Sequence, residues 1–239
     1  RDQYHSGADV GTYDVQRIFR SLRIDENGSL RLHQNGVPAV ESYLLTRLHM
    51  YKLVYFHKLN ILTSEYHRKA LRRAGELASL GKIELNDAIK GMLLSPNLDS
   101  FGYLSLDDSV VSSAISSWRE SEDQELRFWV DRILSRDSFH KRIRIPGLTP
   151  EHVERCMIAI SAEISSAGFD PVRDLILARV DNVGYRPYEG GIRLVDGRDI
   201  ADVSSVASAI TKTVHDTMVF VPSSVRKACE EVVKSTLNV

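Results

Sequence analysis

The stretch VPAVESYLLTRLHMYKLVYFHKLNIL, residues 37–62, decides how this chain is read. Pro38 suits a first helical turn, and no Gly or Pro follows until Gly75, so the pattern predicts one continuous helix from Val37 to about Leu62, the longest of the chain. On a 3.6-residue period Arg47, Tyr51, Tyr55 and Lys58 share one stripe, at offsets of 4, 4 and 3, with Leu44, Leu48, Leu59 and Leu62 beside it. Such a stripe offers a planar cation able to bond two oxygens at once, then flat rings, along one line. A rise of about 1.5 Å per residue puts Arg47 and Tyr55 roughly 12 Å apart, the scale of a nucleoside triphosphate from phosphates to sugar and base. An amphipathic helix with Arg47 and Lys58 in surface ion pairs accounts for the same periodicity.

Helical spacing also covers Tyr13 to Leu22 after Asp14. Leu22-Arg23-Ile24 and Leu30-Arg31-Leu32 flank a turn cluster holding Asn27-Gly28, which predicts a hairpin closed by Asn35-Gly36. A helix over 64–80 stops at Gly81 and carries Arg68, Lys69, Arg72 and Arg73 on one face; further helices are predicted over 85–94, 107–118 and 123–135. After Pro146-Gly147 the texture changes. Thr149-Pro150-Glu151 opens a helix to Gly168, residues 174–180 and 218–221 read as strands, and Asp196-Gly197 between 192–195 and 198–203 reads as a second hairpin. The fold class is therefore mainly α with a smaller α+β C-terminal lobe, divided into a helical part over 1–146 and a lobe over 147–239.

Composition excludes several classes. Of 239 residues 43% are hydrophobic and 26% charged, and 31 basic residues against 32 acidic give a net charge of −1, so the chain lacks the overall basic field of non-specific nucleic-acid binders. Nucleic acid is disfavoured as a partner, and no apolar run is long enough to span a membrane. Cys156 and Cys229 lie 73 residues apart without a C-x-x-C, which points to a reducing, cytoplasmic setting. The chain opens Arg1-Asp2-Gln3 without methionine, and its first helix signal comes at Tyr13, so it reads as a piece of something longer. No P-loop, G-x-G-x-x-G or G-x-S-x-G is present. His49 and His57, eight apart, do not share an ion without further ligands. His215-Asp216 would need His140 or His152 and a later Asp to hold a metal, yet no Asp follows 216; the pair reads as a helix end running into a strand.

The runs RDQYHSGADVGTYDVQRIFRSLRI (1–24), YLLTRLHMYKLVYFHK (43–58) and ILSRDSFHKRI (133–143) resemble, in order and spacing, the segment that follows the metal-binding core of HD-domain phosphohydrolases of the deoxynucleoside triphosphate (dNTP) triphosphohydrolase branch. The resemblance covers most of residues 1–145 and, more loosely, IRLVDGRDIADVSSV and the later VFVP. It implies an HD-hydrolase-like helical region without the metal-ligand helices, whose four ligands would precede Arg1. It also implies that Asp2 bonds the sugar 3′-hydroxyl, Arg47 contacts phosphate oxygens and Tyr55 packs against the sugar. Tyr51 occupies the position where triphosphate-cleaving members often place a His, and is this chain's one catalytic candidate. Phe56 stands where a Gln can face the base, and Arg17 matches a position that binds an activating nucleotide in regulated members. The implied function is the substrate-binding and assembly half of a dNTP phosphohydrolase that yields deoxynucleoside and triphosphate. The implied partners are an upstream HD half holding a divalent metal (Mn, Mg, Fe or Zn), dNTPs and further copies in a homo-oligomer. A non-catalytic nucleotide-binding, regulatory or assembly module is the alternative.

Overall fold

The computed structural model describes the chain except residues 1, 96–98, 136–138, 146–149, 189 and 239. Arg1, the Pro146-Gly147 break and the Thr149 helix opener thus lie outside the described residues. The chain begins with α1 (Asp2–Ser6) and α2 (Val15–Ser21), then the hairpin strands β1 (Leu22–Ile24) and β2 (Leu30–Leu32). Helices α3 (Val37–Met50), α4 (Lys58–Ser79), α5 (Asp87–Leu94), α6 (Ser100–Leu104), α7 (Asp108–Ser117) and α8 (Gln124–Ser135) follow. Beyond them come β3 (His140–Ile143), α9 (Pro150–Ser166), α10 (Pro171–Asp174) and β4 (Ile176–Asn182). The chain closes with α11 (Ile200–Val203), α12 (Ser205–Ala209), β5 (Val214–Pro222) and α13 (Arg226–Leu237). This is a mainly α fold with a smaller α+β part, as the sequence predicts.

Local chemistry sets many of these boundaries. Asp14, Asn86, Asp99 and Asp107 each accept a backbone N–H from the first turn of the helix they precede, satisfying donors that have no partner inside the helix. The predicted hairpin forms with Leu22 opposite Leu32 and Ile24 opposite Leu30, and Asp25 ties its turn by accepting the amides of Asn27 and Ser29. Strand β5 lies between β3 and β4, antiparallel to β3, with His140 opposite Pro222 and Ile143 opposite Val219.

By contact, the residues form two compact units: Arg1–Asn60 with Arg179–Thr217, and Ile61–Ala178 with Met218–Val239. The division at 146/147 follows texture along the chain and is a different partition from these units, which gather residues that touch. In the first unit Leu32, Val40 and Leu44 are buried with Leu194, Ile200 and Ala207. Backbone bonds from Leu32 N–H to the Arg193 carbonyl (2.8 Å) and from Val195 N–H to the Leu32 carbonyl (3.1 Å) lay the later segment along the hairpin. In the second unit one face of α4, Leu62, Tyr66, Ala70, Ala74 and Leu77, packs with Trp118, Leu126 and Trp129. A neighbouring cluster joins Cys156, Ile160 and Ile164 of α9 to Cys229 and Val233 of α13 and to Val219 and Val221 of β5; both cysteines are buried free thiols.

The structure departs from the sequence reading at several places. The helix predicted over 37–62 is two: α3 passes at Met50 into a wide π-helical turn, Tyr51–Tyr55, and the chain breaks at 56–57 before α4. Phe56 N–H reaches the Tyr51 carbonyl at 2.8 Å, five residues back, and the Asn60 side chain donates to the Val54 carbonyl at 2.7 Å, so the last carbonyls are satisfied without a continuing helix. The helix predicted to start at 64 consequently starts at Lys58. The hairpin predicted around Asp196-Gly197 closes only briefly: Leu194 N–H bonds the Arg198 carbonyl at 2.8 Å and Arg193 pairs antiparallel with Asp199, after which the chain turns at Ile200 into helix α11, where Asp199 and Asp202 form a reciprocal capping box. His215-Asp216 lies inside strand β5, not at a helix end. Helix α6 has no counterpart in the sequence reading.

Candidate functional site

The wide turn after α3 gathers the aromatic stripe. Along α3 and this turn, Tyr43, Arg47, Tyr51 and Tyr55 recur every four residues, and all four line a groove of about 500 Å³ in the first unit. Asp2 and Tyr13 are on its wall as well. The volume lies in the range of small-ligand sites. The rings form an edge-packed series, with Tyr13 to Tyr43 centroids 5.1 Å apart and Tyr51 to Tyr55 centroids 5.0 Å apart. The Arg47 guanidinium carbon sits 4.8 Å from the Tyr51 ring centroid, and its Nη1 donates to the Gly184 carbonyl at 3.2 Å. Stacking and one carbonyl bond hold the guanidinium in place while a planar fork of five N–H donors has others left to offer.

Asp2 and Tyr55 meet directly: the Tyr55 hydroxyl donates to the Asp2 carboxylate. That bond, followed by partial loss of solvent, holds the Tyr55 phenol above the ordinary tyrosine range, so the group is a neutral donor at neutral pH. One end of the groove is therefore an acceptor carboxylate beside a phenol, and the other a stacked guanidinium, with rings between.

Of the residues singled out in the sequence, Asp2, Arg47, Tyr51 and Tyr55 converge here. Lys58, placed on the same stripe by spacing, begins α4 beyond the break. Arg17 is not among the groove's lining residues; its Nε donates to the Asn35 carbonyl at 3.2 Å, which fastens α2 to the turn before α3. Tyr13 and Tyr43 are site residues that the sequence reading misses, although Tyr43 stands one helical repeat before Arg47 and extends the stripe.

The basic face of α4 is neutralised in place. Arg68 pairs with Glu65, Arg72 with Glu76, Arg73 with Asp123 at 2.7 Å, and Lys69 lies 4.8 Å over the Trp129 ring. Burial pulls the Lys69 ammonium below its usual range. His215 Nδ1 bonds Asp181 at 2.7 Å. Among the described residues no group of three His, Cys, Asp or Glu side chains is arranged to hold a metal ion. No helix of the described residues is long and apolar enough to cross a membrane.

Residues 13–88 match the family model described as HD associated region. The uncharacterized protein YwfO of Bacillus subtilis is 27% identical over 197 residues, which are 80% of this chain and 43% of that protein. The uncharacterized protein MJ1154 of Methanocaldococcus jannaschii is 40% identical over 60 residues, 24% of this chain and 13% of that protein. Among solved structures, a phosphohydrolase from Bacteroides thetaiotaomicron superposes with a TM-score of 0.66 at 22% identity, covering 92% of this chain and 59% of that one. A hypothetical protein from Aquifex aeolicus superposes with a TM-score of 0.64 at 21% identity, covering 98% of this chain and 55% of that one. Residues 13–88 are thus similar to an HD-associated region, the fold is shared with a solved phosphohydrolase, and the chain spans less than half the length of the curated relatives it matches.

Proposed function

We propose that this chain is the substrate-binding and assembly half of an HD-domain dNTP phosphohydrolase, acting in the cytoplasm as part of a homo-oligomer. The observation that carries the reading is the convergence of Asp2, Arg47 and Tyr55 on one groove, adjoining and within the HD-associated region. Arg47 binds phosphate oxygens through the N–H groups that Gly184 leaves unused, and its stacking on Tyr51 fixes the plane in which the fork points. The Asp2 carboxylate accepts from the sugar 3′-hydroxyl, and Tyr55, already bonded to Asp2, packs against the sugar and holds that carboxylate in position. Tyr51, beside Arg47, is the candidate proton donor near the phosphates.

The parent reaction is attack of water on the α-phosphorus of a dNTP, giving deoxynucleoside and triphosphate. Among the described residues no cluster of His, Cys, Asp or Glu fits the divalent metal (Mn, Mg, Fe or Zn) that such chemistry uses, and in this reading an upstream HD half would hold it. In the full-length protein Arg47→Ala should lower kcat/KM for dNTP by about 30-fold, the equivalent of about 2 kcal/mol for a lost charge-assisted phosphate contact. Unchanged kinetics would overturn the reading. Saturable dNTP binding in a full-length protein with no metal-dependent turnover would instead favour a non-catalytic nucleotide-binding, regulatory or assembly module.

A further inference from the structure

Arg47 and Tyr51 border two depressions. Beyond the groove just described, a second one of about 370 Å³, all in the first unit, is lined by Arg47, Tyr51, Phe56, Asn182, Arg186 and Thr213, and also by Asp181. Asn182, the last residue of β4, is only 9% exposed, and its side-chain Nδ2 has no hydrogen-bond partner. Buried amide donors are nearly always paired, so an orphan on the wall of a depression marks a place where an acceptor belongs.

The backbone around this donor is fixed. Gly184, whose carbonyl holds Arg47, has no room for a side chain: a Cβ there would lie 2.9 Å from the Ile210 Cβ and 3.0 Å from the Ile210 carbonyl oxygen. Next in the chain, the Tyr185 hydroxyl donates to the fully buried Asp199 carboxylate at 2.8 Å, and the Tyr188 amide donates to the same carboxylate at 3.1 Å. Tyr188 is held at φ +66°, a left-handed conformation that a tyrosine adopts only under such constraint. The loop bearing Arg186 is therefore tied down on both sides of that residue, and Arg186 is presented at a set place on the rim.

The lining chemistry is that of an anion site. Its donors are the Asn182 amide, the Arg47 and Arg186 guanidiniums and the Thr213 hydroxyl; its one acid, Asp181, is bonded to His215 at 2.7 Å. The Tyr51 and Phe56 rings, 5.5 Å apart, make the apolar wall. We propose that this second depression is a phosphate subsite, in which Asn182, Arg186 and Thr213 hold a phosphate group on the far side of Arg47 from Asp2. The assignment does not need a nucleotide in the Asp2 groove. The phosphate comes either from the distal end of a nucleotide that passes Arg47 or from a separate phosphate-bearing ligand.

Calorimetric titration of the full chain with inorganic tripolyphosphate, and separately with dATP, tests both points. Tripolyphosphate should bind the wild type, and Arg186→Ala and Asn182→Asp should each weaken it by about tenfold or more, the first by removing a cation and the second by setting a carboxylate where the amide donated. Arg186 is exposed, so its alanine variant tests the site without disturbing the core. If dATP affinity falls in step and the two probes compete, the phosphate is the distal end of a nucleotide. If dATP binds both variants as it binds the wild type, and binds alongside tripolyphosphate, the phosphate belongs to a separate ligand. No tripolyphosphate binding to the wild type, or wild-type binding by either folded variant, overturns the subsite. Loss of dATP binding in Arg47→Ala alone would then leave the Asp2 groove reading standing without it.

Discussion

In the first unit the Arg47 guanidinium carbon lies 4.8 Å from the Tyr51 ring centroid. In the second, Lys69 lies 4.8 Å over Trp129, Arg132 lies 4.7 Å from Phe128 and 4.4 Å from Phe139, and Arg173 lies 4.5 Å from Phe128. The residue types match, but the closure differs. Rings in the second cluster surround His140, which is 1% exposed, bonded through Nδ1 to the Tyr66 hydroxyl at 2.8 Å and stacked on Trp129. Rings in the first line an open groove, with their cation on its wall. Cations over aromatic faces thus serve either to cap a core or to furnish a site, and whether the rings close over a buried group or line an open groove separates the two uses.

The largest effect that can break this comparison lies in the second cluster. Burial pushes the His140 imidazole down to about 4, against the pull of Asp174 and with Arg132 and Lys69 adding to the depression. The unfolded chain binds this proton near pH 6.5 and the folded chain does not until about pH 4. Stability is therefore full above pH 6.5 and is lost as pH falls through that window, by about 2 kcal/mol at pH 5 and about 3 kcal/mol at pH 4. Trp118 and Trp129, the only two tryptophans, both belong to the second unit, so urea unfolding followed by tryptophan fluorescence reads that unit selectively. His140→Gln should remove most of the slope between pH 7 and 5. An unchanged slope would mean that His140 is not the buried neutral group described.

Next in size is the contrast between the two cations. Arg47→Ala should weaken dATP binding to this chain by about 30-fold, whereas Lys69→Met, which removes an equally ring-stacked charge from the second unit, should leave it within twofold. Equal losses in both would erase the functional distinction between the clusters.

How much of this was legible in the sequence depends on which period carried it. The stripe from Arg47 to Tyr55 was readable because a helix and a π-turn both keep residues four apart close together. The break at 56–57 was not readable, because it rests on the Asn60 side chain capping Val54, a side-chain bond that periodicity does not encode. The basic face of α4 was visible, but one decisive partner of Arg73 is Asp123, fifty residues later. Likewise Arg186 and Asn182 carry no motif, and only folding brings them beside Arg47. The turn at Asp196-Gly197 was legible and its first antiparallel pair forms, but the second arm stops at Asp199 because Asp199 and Asp202 cap the helix that starts at Ile200.

Within α4 a smaller effect sharpens the same distinction between a cation that is used and one that is merely solvated. Asp123 accepts both Arg73 at 2.7 Å and the Leu126 amide at 2.8 Å, and the arginine bond in particular holds its carboxyl below the usual range. Asp123→Ala, which removes a helix cap together with a partly buried ion pair, should cost about 1 kcal/mol by the same fluorescence-monitored unfolding. Arg72→Ala, whose bridge to Glu76 is largely exposed, should be indistinguishable from wild type.

The smallest expected change is spectroscopic and belongs to the groove. Tyr55 is exposed, so its bond to Asp2 contributes little to folding, but it decides which species the groove presents. A phenol donating to a carboxylate loses its proton only above the ordinary tyrosine range, because the phenolate would face the negative Asp2. The difference in ultraviolet absorbance between the wild type and Tyr55→Phe, titrated through alkaline pH, isolates this one phenol from the other eight tyrosines. Its midpoint should lie above the ordinary value of about 10 and move back toward it in Asp2→Asn, which removes the charge. If bound dATP draws the Asp2 carboxylate onto the sugar hydroxyl, the same midpoint should fall when the nucleotide is present. A midpoint indifferent to both Asp2→Asn and nucleotide would separate Asp2 from Tyr55, and with it the sugar end of the groove from the phosphate end at Arg47.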